Sequence, residues 1–199
     1  NNPSTPLGAS NQLVADEFGN PAANLFRLSN TPVAGAVVFD RGNQTIVRYV
    51  DRATGHIYDR DLRTLEKMKV TNNTLPKIYE AYFRSDGNAV ILRSLKDSSD
   101  VVENLSLALT PPKATSTIYA VSSTALRGNI SAVAAGSGNT IIYALRDSSS
   151  IVTSAFNGTG AKTLFVSAFT NWRLNTAGNS LIVYTKASAD APGYVYTLN

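Results

Sequence analysis

The chain has 199 residues, a formal net charge of +4, 43% hydrophobic and 16% charged residues, and no cysteine. That is room for one domain with an ordinary core, and it excludes a disulfide framework, thiolate metal sites and thiol catalysis. The polar residues are mostly Ser, Thr, Asn and Gly, which predicts an extracytoplasmic setting, secreted or at the cell surface, and no apolar run reaches the length of a membrane-spanning helix.

Residues 1–24 carry three prolines and no apolar period, and read as a linker or wrapping arm. The opening at Asn1, without a leader pattern, reads as a mature secreted form or as a piece of something longer. From Leu25 onward, short runs rich in Val, Ile, Tyr and Phe alternate with Gly, Asn, Asp, Ser and Pro turns, an all-β pattern. The nearest helical candidate, "DLRTLEKMKV" from Asp61, is broken by Thr64 and Val70 and reads as a hairpin around Thr64 and Leu65.

A turn recurs. Gly-Asn followed by a β-branched or apolar run stands at Gly42, Gly87, Gly138 and Gly178, with spacings of 45, 51 and 40 residues. Periods of that length belong to four-stranded propeller blades, and Gly-Asn suits the tight hairpin between a blade's first two strands because both residues tolerate positive φ. The predicted fold is an all-β propeller of antiparallel blades near 30–73, 74–123, 124–169 and 170–199. The first reads as strands a to d at Val33–Phe39, Thr45–Asp51, His56–Leu62 and Glu66–Thr71. The fourth lacks its outer strand, while an orphan strand, "NLFRLS" at Asn24–Ser29, precedes the first. Two readings follow: residues 25–29 clasp the last blade into a small closed ring, or the four blades belong to a larger ring of six to eight.

The stretches "LSNTPVAGAVVF", "VRYVDRATGHIYDRDLRTLEK" and "TLPKIYEAYF…GNAVILRSLKD" resemble a group of secreted or membrane-anchored propeller-like proteins of the ultra-small candidate-phyla bacteria. The likeness covers residues 25–110 best; a more distant one is to TolB-like and WD-repeat propellers, although the Trp-Asp and Gly-His signatures of the latter are missing. It implies a fold and an extracytoplasmic setting, and it carries over no functional residue.

The excess positive charge lies mainly in the first half, at Arg48, Arg52, Arg60, Arg63, Lys67 and Lys69, interrupted by Asp51, Asp59, Asp61 and Glu66. That mixture predicts a solvated mixed-charge face, so nucleic acid is not an expected partner. "FNGTGAKTL" from Phe156 has the composition of a phosphate loop, but Ala161 separates Lys162 from the glycine and a strand follows, so it reads as a hairpin turn. His56 is the single histidine and there is no G-x-S-x-G elbow, which argues against a serine triad and a multi-histidine metal site. Asp59 with Asp61, and Asp97 with Asp100, could supply paired carboxylates for hydrolysis or Ca²⁺, but Asp and Ser in such places also cap tight turns. Arg48, Arg93, Tyr143 and Tyr184 fall in the four b strands and read as a column packed between blades.

In propellers, the loops leading into strand a and the b–c turns share one face, where ligands dock. Lys77, Tyr79, Arg127, Trp172 and Arg173 fall there and are the candidate ligand-binding residues, with Trp172 as partner anchor or, alternatively, as core at the start of a strand. The expected function is a non-catalytic binding or scaffolding propeller for protein or cell-envelope glycan, without cofactor or metal. The alternatives are a glycan or peptide hydrolase or lyase using Asp59 and Asp61, and a self-associating subunit of a surface filament or layer.

Overall fold

The computed structural model describes residues 13–15, 21–96, 101–113, 116–188 and 192–198, with side chains from residue 27 onward. Asp97 and Asp100, and most of the 1–24 arm, lie outside the described residues. All described regular elements are strands. After a hairpin of β1 (Leu13–Ala15) and β2 (Pro21–Phe26), blade one is β3 (Val33–Arg41), β4 (Gln44–Asp51), β5 (Ile57–Asp61) and β6 (Lys67–Lys69). Blade two is β7 (Ile78–Phe83), β8 (Ala89–Leu95), β9 (Val102–Thr110) and β10 (Ala120–Ala125). Blade three is β11 (Ile130–Ala135), β12 (Thr140–Leu145), β13 (Ser150–Ala155) and β14 (Lys162–Val166), and blade four is β15 (Arg173–Ala177), β16 (Ser180–Tyr184) and β17 (Val195–Leu198).

Each blade is an antiparallel meander, and together they form the four-bladed propeller arrangement that the repeat predicts. The four indexing glycines all take positive φ, +58° at Gly42, +73° at Gly87, +59° at Gly138 and +60° at Gly178, as a tight a–b hairpin requires. The segment from Asp61 is the predicted hairpin, turning at Leu65 with φ 59°. Strands a converge: β3 packs on β7, β7 on β11 and β11 on β15.

Because side chains alternate along a strand, each blade presents one face to the blade before it and one to the blade after. Among the described residues, three apolar cores fill the spaces between successive blades. Val50, Ile57 and Val70 of blade one meet Ile78, Phe83, Val90 and Leu92 of blade two. Ala89 and Ile91 of blade two meet Val133, Ile141, Tyr143 and Val152 of blade three. Ile142, Ala144 and Ile151 of blade three meet Trp172, Leu181 and Val183 of blade four.

Among the described residues no blade-one strand packs against a blade-four strand as neighbouring blades do. The orphan strand does not clasp blade four either. β2 pairs with β1, and the segment after it docks on blade one: the Leu28 carbonyl accepts from Arg60 Nε and Nη2 at 3.3 Å and 3.1 Å, and Thr31 Oγ1 donates to Asp51 Oδ2 at 2.6 Å. The physical reason is that Asp51 and Arg60 offer polar partners next to the chain leading into β3. Blade four retains the three strands expected of it.

Two further expectations are corrected. The column in the b strands runs through Ala144 rather than Tyr143, because Arg48, Arg93 and Ala144, each six residues after a turn glycine, face the next blade and Tyr143 is one residue short, facing blade two. The mixed charges of blade one are not all solvated: Arg48, Asp51, Asp59 and Asp61 are buried and satisfied by one another, by turns and by the neighbouring blade.

Candidate functional site

The d–a loops and b–c turns do share one face, here termed the top. The Thr54 carbonyl in the first b–c turn accepts from Leu75 N at 2.9 Å, and the Asn129 carbonyl accepts from Arg146 N at 2.8 Å. Near the converging strands a, Ser131, Arg146, Asn171, Trp172 and Arg173 line a cavity of about 340 Å³ between blades three and four. β12 delivers Arg146 at its end, β15 delivers Arg173 at its start, and Asn171 makes the intervening bend with φ 61°. Arg146 and Arg173 are exposed, and Trp172 is only 2% exposed.

Trp172 therefore obeys its core reading. Its ring meets those of Phe165, Phe169 and Tyr196 edge-on at centroid distances of 5.7, 6.2 and 5.9 Å. The indole Nε1–H is buried without an acceptor. Asn171 and Arg173 also border a second cavity of about 440 Å³, with Phe169, Pro192 and Tyr194 on its walls. Phe169 and Tyr194 stack there at 5.0 Å and stay partly exposed.

The other candidates disperse. Lys77, exposed with φ 65°, borders an apolar groove of about 800 Å³ with Leu75, Leu92, Leu95 and Val101. Arg127 is exposed beside a small cavity of about 130 Å³. Its carbonyl accepts from Asn104 Nδ2 at 3.0 Å, which ties blade two to the loop leading into blade three. Tyr79 is half-buried, with the Arg93 guanidinium 5.7 Å from its ring centroid. Burial pushes its phenol above the ordinary value, while Arg93 and Arg146 pull it back. The structure thus brings together Trp172 and Arg173 with Arg146 and Ser131, which sequence reasoning missed. The place of Arg146, immediately after strand b and before the Asp-Ser-Ser turn, is the signal that could have found it.

The carboxylates proposed for catalysis have structural partners. Asp59 Oδ1 and Oδ2 accept from Arg48 Nε and Nη2 at 2.7 Å and 2.9 Å, and Oδ2 also accepts from Arg41 Nη2 at 2.7 Å. Asp61 Oδ1 caps its turn by accepting from Arg63 N at 2.7 Å and Thr64 N at 3.1 Å, and Oδ2 accepts from Gln44 Nε2 at 2.7 Å. Those backbone donors hold the Asp61 carboxyl below the usual range. His56 sits partly exposed against Tyr58 and Thr74, its pKa lowered by burial and by Lys69. Among the described residues no group of three or more His, Asp or Glu is placed to hold a metal, and no helix is long and apolar enough to cross a membrane.

No protein-family model matches the chain, and no curated protein matches it. Among solved structures, that of U3-55K is similar, with 11% identity and a TM-score of 0.43 over 84% of this chain. The chain spans about half of that protein, 52% of its length.

Proposed function

We propose that this propeller is a non-catalytic protein-binding module, working at the cell surface, whose top face is the contact face. The observation that carries this is the convergence, on that face, of exposed Arg146 and Arg173 with the partly exposed Phe169 and Tyr194 around two cavities that share Asn171 and Arg173 as walls. Arginine and aromatic side chains are the residues that dominate protein interfaces. Asp59 and Asp61, the best carboxylate pair for an enzyme, are engaged by Arg48, Arg41, Gln44 and turn backbone, which supports binding over hydrolysis. The low share of charged residues, 16%, supports the extracytoplasmic setting.

A photo-crosslinking amino acid placed at Lys186, in the b–c turn of blade four, or at Asn179, in its a–b turn, compares the two ends of one blade. In the native cell the Lys186 position is expected to give a discrete protein adduct and the Asn179 position none. Adducts from Asn179 alone, or glycan rather than protein at Lys186, would refute this reading.

A further inference from the structure

We propose that the notch between blades three and four binds the carboxylate of an acidic side chain, followed or preceded by an apolar residue, on a protein partner. This rests on the top-face reading above.

Among the described residues, two arginines and no acid line the notch. Among the described residues neither Arg146 nor Arg173 has an ion-pair partner. The acid beside Arg146 in sequence is occupied, since both carboxylate oxygens of Asp147 accept from Asn129 Nδ2 at 2.8 Å. Two cations around one cavity repel each other, and an anion between them reverses that cost. A guanidinium presents a planar fork of donors matched to a carboxylate. The Trp172 indole, a donor with no acceptor capacity, forms part of the wall and leaves its Nε1–H unsatisfied, which a buried donor seldom does. A free inorganic anion would use the notch alone. The cavity walled by Phe169 and Tyr194 shares Asn171 and Arg173 with it, so the combined shape suits an acidic residue with an apolar neighbour.

Trp172 is the only tryptophan of the chain, so its emission reports on the notch directly. The probe is acetyl-Glu-Leu-Glu-Leu-Glu-amide, with the same peptide carrying Gln for Glu as its neutral counterpart. The acidic peptide is expected to shift or quench the emission saturably and less strongly at high salt, and the neutral one to leave it unchanged. Arg146→Ala and Arg173→Ala are each expected to weaken binding about tenfold or more, and Lys162→Ala, in β14, to leave it intact. Both arginines are exposed, and unchanged emission without peptide checks that each variant is folded. Equal binding of the neutral peptide, or indifference to both arginine variants, overturns the proposal. So does inorganic phosphate displacing the peptide at equal concentration, which would make the notch a site for free anions. If the arginine variants are neutral while crosslinking stays confined to the Lys186 end, the carboxylate site fails and the binding face stands. If crosslinking loses its preference for that end, the broader reading fails.

Discussion

The Arg48 guanidinium and the Asp59 carboxylate face each other across strands b and c of blade one, joined at 2.7 Å and 2.9 Å, with 0% and 2% of their side chains exposed. The remaining Arg48 donor, Nη1, reaches the Gly87 carbonyl of blade two at 2.9 Å, and the Tyr119 and Phe39 ring centroids lie 4.5 Å and 5.2 Å from the guanidinium carbon. One charge pair thus fixes a strand pair, and the same arginine grips the next blade. Arg93 repeats the arrangement: Nε donates to Asn104 at 3.0 Å, Nη1 to Glu80 at 2.6 Å, and Nη2 to the Ile130 and Ser131 carbonyls at 3.1 Å and 3.2 Å.

Removing one partner leaves a buried charge uncompensated, so Asp59→Ala is expected to cost about 3–5 kcal/mol in urea unfolding. Replacing Arg48 and Asp59 together by Met and Leu is expected to cost less than Asp59→Ala alone. A double variant less stable than the single one would contradict this account of the pair.

Close approach of strands a sets a second sensitivity. A Cβ at Gly35 of β3 would stand 2.0 Å from the Ala81 carbonyl oxygen of β7, so Gly35→Ala must push the first two blades apart. We expect a loss of about 1–3 kcal/mol. Gly42→Ala meets nothing within 4 Å and suffers only from its φ of +58°, a penalty of about 1–2 kcal/mol. Thermal melts of the two variants separate crowding from backbone conformation; a larger loss at Gly42 would count against the strand approach.

Turn carboxylates predict acid sensitivity. Asp51 is raised by burial but more than offset by the hydroxyls of Thr31 and Thr54 and the backbone of Thr54 and Ala53, so it titrates below the usual range. Asp61 is lowered by the backbone N–H groups of Arg63 and Thr64, and Asp86 by Arg84. A carboxyl whose folded pKa is depressed contributes fully above its unfolded value, about 3.9, and the contribution is lost as pH falls towards the folded value. His56, lowered by burial and Lys69, adds a milder loss on acidification below about 6.5, because the unfolded chain takes up the proton more readily. Chemical denaturation should therefore show a shallow decline below about pH 6.5 and a steeper one below about pH 4. Stability that rose on acidification through pH 4 would be incompatible with these turns.

Trp172, 2% exposed inside the third core, is expected to emit at shorter wavelength than the unfolded chain and to resist iodide quenching. Ile151→Ala, which empties space in the same core, is expected to cost about 2–5 kcal/mol and to red-shift that emission. An unshifted spectrum would place the indole outside that core.

Much of the architecture was legible because its signals are local. A glycine at positive φ must mark the a–b turn, and β-branched runs of five to nine residues have few other uses, so β4 at Gln44–Asp51 lies within one residue of the predicted Thr45–Asp51. What was illegible is long-range. Strand d of blade two begins only at Ala120, because Tyr119 N bonds the Val70 carbonyl of blade one at 2.8 Å and its ring covers Arg48. The facing of Tyr143 depends on one residue of register, and the docking of residues 27–31 depends on Arg60 and Asp51. At the site, Arg173 and Trp172 were visible through the loop that carries them. Arg146 stood at a legible place, after strand b and before the Asp-Ser-Ser turn, but its nearness to Arg173 depends on how blade three turns against blade four.

Three cores between four sheets have a mechanical consequence. Among the described residues each interior sheet is held on both sides, while those of blades one and four are held on one, so these four behave as a short row of coupled units, each stabilised by its immediate neighbours. Loss of the core at Trp172 would release one terminal unit and spare the Arg48 and Arg93 junctions. Loss of the Arg93 junction would divide the row into two pairs. Unfolding begun at the blade-four end would thus reach the proposed carboxylate notch first, making occupancy of that notch a brake on the first step of disassembly.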